Sequence, residues 1–264
     1  MKFGRKPPVY NRRTFRNGLV LAKALDPLGP APTSCPNFIA AVESAVGGCD
    51  QWGMMGNDVA GCCTISSTGH RIMLTTANAG PQIVIPTADD VLNLYKQLSG
   101  WNGVPDDPSD TGLDETTVCQ FDIATGLLGQ KSSGTAMVDP GNLDHVKWTV
   151  AMFGACRLGI VVTQGMMDQF GAGQAWDGTG DPTPLGGHDV PIVYYRDDGS
   201  GGDVITWGRR QPFTWDWWKQ QTSAGPMVEE VHAELFFDWA DAVGSTPANL
   251  DMTLLQEQLT AVAT

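Results

Sequence analysis

A glycine-rich loop that runs directly into a helix-forming segment constrains this chain more than any other stretch of its sequence. The loop covers Met55 to Gly61, and the predicted helix begins at Cys63. The first amides of a helix have no partner within the helix, and the helix dipole is positive at that end. A thiol there is therefore favoured as the nucleophilic thiolate. This position makes Cys63 the candidate nucleophile.

Two polar side chains suit the same chemistry. Asn57 lies six positions before Cys63 and can donate its side-chain amide to a developing oxyanion. His188 follows two glycines and opens an apolar strand, where an imidazole can accept a proton from a thiol that is distant in sequence. The sequence thus predicts a nucleophile, an oxyanion donor and a base.

These residues belong to three sequence blocks: Trp52-Gly53-Met54 with Gly56-Asn57-Asp58, then Gly186-Gly187-His188, then Thr206-Trp207-Gly208 with Thr214-Trp215. The pattern resembles the papain-like cysteine peptidase superfamily, and more closely a group of uncharacterised papain-like proteins from phages, prophages and bacteria. The resemblance implies an α+β fold, with a cysteine-bearing helix packed on an antiparallel sheet or half-barrel that carries the histidine. It also implies a peptidase or amidase acting on protein or cell-wall peptide.

Two positions depart from that pattern. Cys62 stands where the similar proteins have an aspartate, and Ile205 stands where the superfamily has the asparagine that orients the histidine. Asp203 lies two residues earlier on the same predicted strand and should face the same side, so it is the candidate substitute. Trp207 and Trp176 are candidate substrate-binding aromatics, and simple packing is the equal alternative for Trp176, which lies in a glycine-rich loop.

Charge divides the chain into a basic arm and an acidic body. The net charge is −13, yet residues 1–25 contain seven basic residues and no acid, which leaves nine basic and 29 acidic residues in the remainder. We expect an extended basic arm with a proline-rich linker over residues 1–48 and a papain-like domain over residues 49–264. Because the acidic body would repel DNA, the expected partners of the arm are other copies or other virion proteins rather than nucleic acid.

Other features narrow the class of protein. No apolar stretch is long enough to span a membrane, and the short run at residues 18–25 does not form the core of a signal peptide, so we expect a virion or host-cytoplasm location. The six cysteines lack the paired spacing of zinc sites, and no metal or cofactor is expected. Whether any of them form disulfides stays open at this point.

Two functions follow from these features. One is a phage or prophage protein, part of a virion assembly, with a Cys–His thiol hydrolase site. The other is a purely structural head, neck or tail protein with an inactive site, whose basic arm straps neighbouring subunits. The altered Cys62 and Ile205 positions favour the second function. His70, seven positions after Cys63, is either a second site histidine or a packed helix residue.

Overall fold

A six-stranded antiparallel sheet with a buried helix on it forms the centre of the fold, and the computed structural model describes residues 1–263, with side chains to residue 261. The strands are β1 (Gly134–Val138), β2 (Cys156–Thr163), β3 (Pro184–Tyr195), β4 (Gly201–Thr206), β5 (Arg209–Thr214), β6 (Gln221–Thr222), β7 (Gly225–Pro226) and β8 (Val228–Leu235). The large sheet has the order β1-β8-β2-β3-β4-β5, and β6 pairs with β7 separately.

The helices surround this sheet. They are α1 (Arg12–Leu25), α2 (Ile39–Val46), α3 (Cys63–Ala79), α4 (Ala88–Ser99), α5 (Glu115–Ala124), α6 (Leu143–Phe153), α7 (Gln164–Gly171), α8 (Trp215–Trp218), α9 (Phe237–Ala242) and α10 (Met252–Ala263), and a 3₁₀ turn covers Asp26–Leu28. Within the described residues, no helix combines the length and apolar character needed to cross a bilayer.

Helix α3 lies at the core and brings the predicted nucleophile to the sheet. Its residues from Cys63 to Thr76 are all buried, so it is enclosed rather than amphipathic. It packs on β3, the strand that carries His188, while every residue of the neighbouring β2 is buried as well. The predicted arrangement, a helix that starts at the cysteine and packs on an antiparallel strand carrying the histidine, is confirmed.

Two segments differ from the sequence-based expectation. Residues 12–25 of the predicted arm form α1, where the sequence leaves either a short helix or a strand open for residues 14–24; α1 packs on β1 and α10 through a face that includes Leu21 and Leu25. The glycine-rich region after β2 was expected to be a loop, but its first part forms α7, which is capped by the Thr163 hydroxyl. The amphipathic spacing of α1 gives it an apolar face that packs on the body, so this part of the predicted arm is not extended.

Candidate active site

The loop before α3 places Cys63 as the first residue of the helix. Cys63 is 1% exposed. The preceding Cys62 directs its sulfur to the Met55 carbonyl oxygen at 3.7 Å and lies 3.6 Å from the Ser66 hydroxyl, so its side chain serves packing. Met55 has a φ of 49°, and the next residue, Gly56, has a φ of 80°; this tight turn directs Asn57 toward the start of the helix.

His188 lies inside β3 and is fixed on two sides. Its Nε2 is 2.8 Å from the Thr206 hydroxyl oxygen, and its ring stacks on Trp207 with centroids 4.5 Å apart and planes 15° apart. Its Nδ1 is buried without a hydrogen-bond partner in the described residues. Cys63 and His188 line the same small cavity, together with Asn57 and Thr206. The predicted nucleophile, base and oxyanion donor are therefore brought together.

Thr206, and not Asp203, is the partner of the imidazole. Asp203 forms an ion pair with Arg196, and in the strand pairing it lies opposite Tyr194, toward the far end of β3 from His188. Successive side chains of a strand point to opposite faces, so position 206 faces the histidine while position 203 cannot. The assignment of Asp203 as the orienting residue is thus corrected. A neutral His188 with its proton on Nε2 donates to the Thr206 oxygen and keeps Nδ1 free to accept a proton.

The two candidate binding aromatics have different positions. Trp207 covers one face of His188 and has a φ of 44°, a left-handed backbone conformation that is costly for a bulky residue and persists where the surroundings enforce it. Trp176 is fully buried behind Trp207, and its Nε1 donates to the Met166 carbonyl oxygen at 3.0 Å. Trp176 therefore packs in the core and does not line the cavity that Cys63 and His188 share.

His70 lines the same cavity but is bound to the backbone. Its Nε2 is 3.0 Å from the Gly53 carbonyl oxygen, and its ring lies edge-on to Trp52. Burial lowers the pKa of His70 to about 4. Gly53 in turn pairs with Gly208, so His70 ties α3 to the loop contact that joins the two sides of the site. Of the two alternatives for His70, a second site histidine or a packed helix residue, the structure therefore favours the packed residue.

The N-terminal residues lie across the thiol. Backbone N–H groups of Gly4 and Asp189 lie near the Cys63 sulfur and act to lower the pKa of its thiol, and the Asn57 side-chain amide donates to the Lys2 carbonyl oxygen at 3.3 Å. The ring of Phe3 lies edge-on to His188, with centroids 6.3 Å apart. Only about 10 Å³ of free space remains in the cavity, which is about the least that holds one water molecule.

This cover determines the protonation states of the pair. Burial, followed by the negative charge of Asp189, raises the pKa of the Cys63 thiol well above its ordinary value. Burial, followed by the positive charges of Arg5 and His70, lowers the pKa of His188 to about 3. Both groups are thus neutral in the covered site, because neither charged form is solvated.

Arg157 of β2 joins the two halves of the site from beneath. Its Nη1 donates to the Thr64 carbonyl oxygen at 2.9 Å and to the Asp189 carboxylate at 2.5 Å. Its Nη2 donates to the Thr68 hydroxyl at 2.6 Å and to Glu234 at 3.1 Å. One buried guanidinium therefore contacts the residue after the nucleophile and the residue after the base.

A second buried charge cluster lies beside the cleft. Ligand atoms of Glu115, Glu230 and His232 lie within 4.8 Å of one another, a donor set that suits a divalent cation. Arg5 donates to Glu230 at 2.7 Å, and its guanidinium supplies the positive charge to this cluster. The described cysteines are all unpaired, so no disulfide forms among them.

Comparisons with known proteins identify the fold. No protein-family model matches the sequence, and no curated protein matches it. The structure is similar to xylellain, a cysteine protease from Xylella fastidiosa, at 13% identity and a TM-score of 0.58, with 88% of this chain and 95% of that chain covered. The chain has a papain-like fold. Procathepsin B from Trypanosoma congolense is also similar, at 13% identity and a TM-score of 0.49, over 88% of this chain and 86% of that one.

Proposed function

We propose that this papain-like chain is a cysteine peptidase whose cleft is closed by its own residues 2–5. The observation that carries the proposal is the cavity shared by Cys63, at a helix start, and His188, whose Nε2 is held by Thr206. That hydrogen bond leaves Nδ1 as the ring atom that exchanges a proton with the thiol. The similarity to a cysteine protease supports the same assignment at the level of the fold.

The chemistry follows from this arrangement. His188 Nδ1 takes the proton from the Cys63 sulfur, and the thiolate attacks the substrate carbonyl carbon. The Cys63 backbone N–H and the Asn57 side-chain amide stabilise the resulting oxyanion. His188 then gives the proton to the leaving amine, and water, with His188 as base, hydrolyses the thioester. Asn57 supports this role because its amide already donates to the peptide carbonyl of Lys2.

Residues 2–5 must leave before a substrate can enter. They occupy the space over the thiol, and they hold Cys63 and His188 in the neutral forms that burial favours. Their departure admits water, which solvates the thiolate and the imidazolium and moves both pKa values back toward their ordinary range. We therefore expect a latent enzyme whose activity depends on displacement of its N-terminal segment.

Gly4→Ala tests the proposal in the full chain, because a Cβ on Gly4 would overlap the Gly61 carbonyl and expel the segment. Alkylation at neutral pH, resolved by peptide mass spectrometry, should label Cys63 much faster in this variant than in the parent. Cys62→Ala should retain that labelling and Cys63→Ala should abolish it, while the exposed Cys49 serves as the internal reference. Gly4→Ala should also hydrolyse a mixed peptide library, whereas Gly4→Ala with Cys63→Ala should not.

Unchanged labelling of Cys63 in Gly4→Ala would contradict the closed cleft. Faster labelling without any Cys63-dependent hydrolysis would instead contradict the peptidase assignment, since the thiol would then be accessible but inert. Substrates drawn from proteins and from cell-wall peptides belong in the library, because the sequence blocks point to both classes.

A role in a phage particle is the second proposal, and the sequence blocks and the N-terminal segment support it. The outer face of α1 exposes three arginines, Arg12, Arg13 and Arg16, beside Phe15 and Leu19, which are 56% and 51% exposed. A basic face with exposed apolar side chains suits an acidic protein partner, such as another copy of the chain or another virion protein. Changing the three arginines to glutamine should abolish incorporation into particles. Normal incorporation of that variant would contradict this role.

A further inference from the structure

The N-terminal segment is held as a peptide would be held. Its backbone is extended between two parts of the body: the Leu113 N–H donates to the Gly4 carbonyl at 2.8 Å, the Lys6 N–H donates to the Leu113 carbonyl at 2.9 Å, and the Arg5 N–H donates to the Gly187 carbonyl at 3.1 Å. Such backbone contacts accept any sequence, as in strand addition. Selectivity must therefore come from the side-chain positions.

The side chain of Arg5 fills an acidic pocket. Its Nη1 donates to Glu230 at 2.7 Å, its Nη2 donates to Glu229, and the side chain is 1% exposed. Both carboxylate oxygens of Glu115 are buried there without a hydrogen-bond partner in the described residues. A Cβ on Gly159 would lie 2.6 Å from Glu115 Oε1 and 2.9 Å from Arg5 Nη1, so the floor of the pocket is open only because this residue is a glycine. We call these four residues, Glu115, Gly159, Glu229 and Glu230, the Arg5 pocket.

The position over the thiol accepts no side chain. Gly4 lies between the backbones of Gly61 and Gly112, and a Cβ on Gly4 would overlap the Gly61 carbonyl. A Cβ on Gly61 would in turn lie 3.0 Å from the Gly4 Cα. The residue that contacts the Cys63 sulfur is thus restricted to glycine by backbone atoms, which cannot move aside as a flexible side chain can.

We propose that the cleft selects peptides in which a glycine over the thiol is followed by a basic residue whose side chain enters the Arg5 pocket. The inference rests on the proposed function, since it names the substrate class of that site. Glu229 and Glu230 leave a negative charge in the pocket when their cation is absent, and Glu230 is buried, so a neutral side chain there is strongly disfavoured. Arginine fits better than lysine, because its planar fork reaches Glu229 and Glu230 at once.

Binding to a full-length, catalytically inert chain tests this. The protein carries Cys63→Ala and Gly4→Ala, so no turnover occurs and the chain's own segment is displaced. The probes are three fluorescent hexapeptides: Lys-Phe-Gly-Arg-Lys-Pro, the same peptide with glutamine for arginine, and the same peptide with alanine for glycine. Fluorescence anisotropy should show that the first binds about 30-fold or more tightly than the glutamine peptide, which is the usual loss when one member of a buried charge pair is truncated. The alanine peptide should also bind more weakly than the first, because its Cβ would overlap the Gly61 carbonyl.

Pocket variants localise the effect. Glu229→Gln, at the rim where the side chain is 20% exposed, should reduce the arginine-to-glutamine preference, and Glu230→Gln should reduce it further. Asp106→Asn is the matched control, because Asp106 is 79% exposed and pairs with Lys2 rather than Arg5. It should leave the preference unchanged. Circular dichroism confirms that each variant is folded.

Equal affinity for the arginine and glutamine peptides, or no peptide binding at all, would overturn the inference. So would a preference that survives Glu229→Gln and Glu230→Gln. Hydrolysis of library peptides without a basic preference would overturn the Arg5 pocket while leaving the peptidase intact. Arginine-selective binding to a chain that hydrolyses nothing would support the pocket and refute the peptidase.

Discussion

Replacing Arg157 with methionine should destabilise the protein more than any comparable change of an arginine at its surface. The guanidinium is fully buried and joins Thr64 and Thr68 of α3 to Asp189 of β3 and Glu234 of β8. Methionine fills a similar volume, so the change removes charge and hydrogen bonds while largely keeping the packing.

The expected loss is about 3–5 kcal/mol in the free energy of unfolding, because Asp189 remains buried without its cation and Glu234 keeps only its second partner, Arg71. This is a large share of the roughly 5–15 kcal/mol that stabilises a typical domain. For a chain of this length it corresponds to a fall of roughly 5–15 °C in the melting temperature. The free energy of unfolding of Arg157→Lys should lie between those of the parent and of Arg157→Met, since a single ammonium group cannot reach both a carboxylate on β3 and one on β8.

Thermal and urea unfolding of the full chain measure this, with Arg196→Met as the matched control. Arg196 pairs with Asp203 but is 27% exposed, so its replacement should cost at most about 1 kcal/mol. The deficit of Arg157→Met should also shrink on acidification. Burial already raises the pKa of Asp189 to about 6, and loss of the cation raises that pKa further. The folded variant then takes up protons more readily than the unfolded chain as the pH falls.

Equal destabilisation by Arg157→Met and Arg196→Met would refute the reasoning, as would a deficit that does not change between about pH 8 and pH 5. The first result would mean that the buried guanidinium and its carboxylates stabilise the fold no more than an exposed ion pair does. The second would mean that the carboxylates do not depend on Arg157 for their ionisation.

Three further changes probe the site. Thr206→Val removes the partner of His188 Nε2, so kcat measured in the Gly4→Ala chain should fall at least about 10-fold with little change in KM, and Thr206→Ser should restore it. Burial lowers the pKa of His70 to about 4, so the unfolded chain takes up the proton first and stability falls as the pH drops from about 6.5 toward 4. His70→Gln should make this fall shallower by about 1.4 kcal/mol per pH unit, read from urea midpoints. Trp176→Ala, in the core, should cost about 3–5 kcal/mol in thermal unfolding.

The sequence predicts the elements that depend on local chemistry. A glycine-rich turn before a helix fixes the start of α3 at Cys63, and an apolar run preceded by two glycines locates His188, although β3 begins at Pro184 and not at the histidine. Their meeting follows from the resemblance, because no local pattern brings residues that are so far apart in sequence into one cavity. Those two positions account for most of the candidate site.

The orienting residue was missed because strand alternation shows which residues share a face but not which face meets the histidine. The choice of Asp203 assumed that positions 203 and 205 face the imidazole, whereas Thr206 does. The register of β3 and β4 also shifts between Ile192 and Tyr194, and such an irregularity leaves no clear mark in the sequence. Arg157 did leave a signal, since it is the one charged residue of the otherwise apolar β2.

The position of residues 2–5 bears on the predicted partnership between copies of the chain. The basic residues Lys2 and Arg5 pair with Asp106, Glu229 and Glu230 of the same chain, whereas the charge pattern was interpreted as attraction of the arm to another copy or another protein. A segment tethered to its own body has an effective concentration of about 1 mM, so an identical segment from another copy at micromolar concentration competes poorly. A strap between subunits through this cleft would therefore have to displace the chain's own segment. Gly4→Ala prevents the segment from fitting any copy of the cleft. It should therefore abolish closure of the chain's own cleft and binding to the cleft of a neighbouring copy.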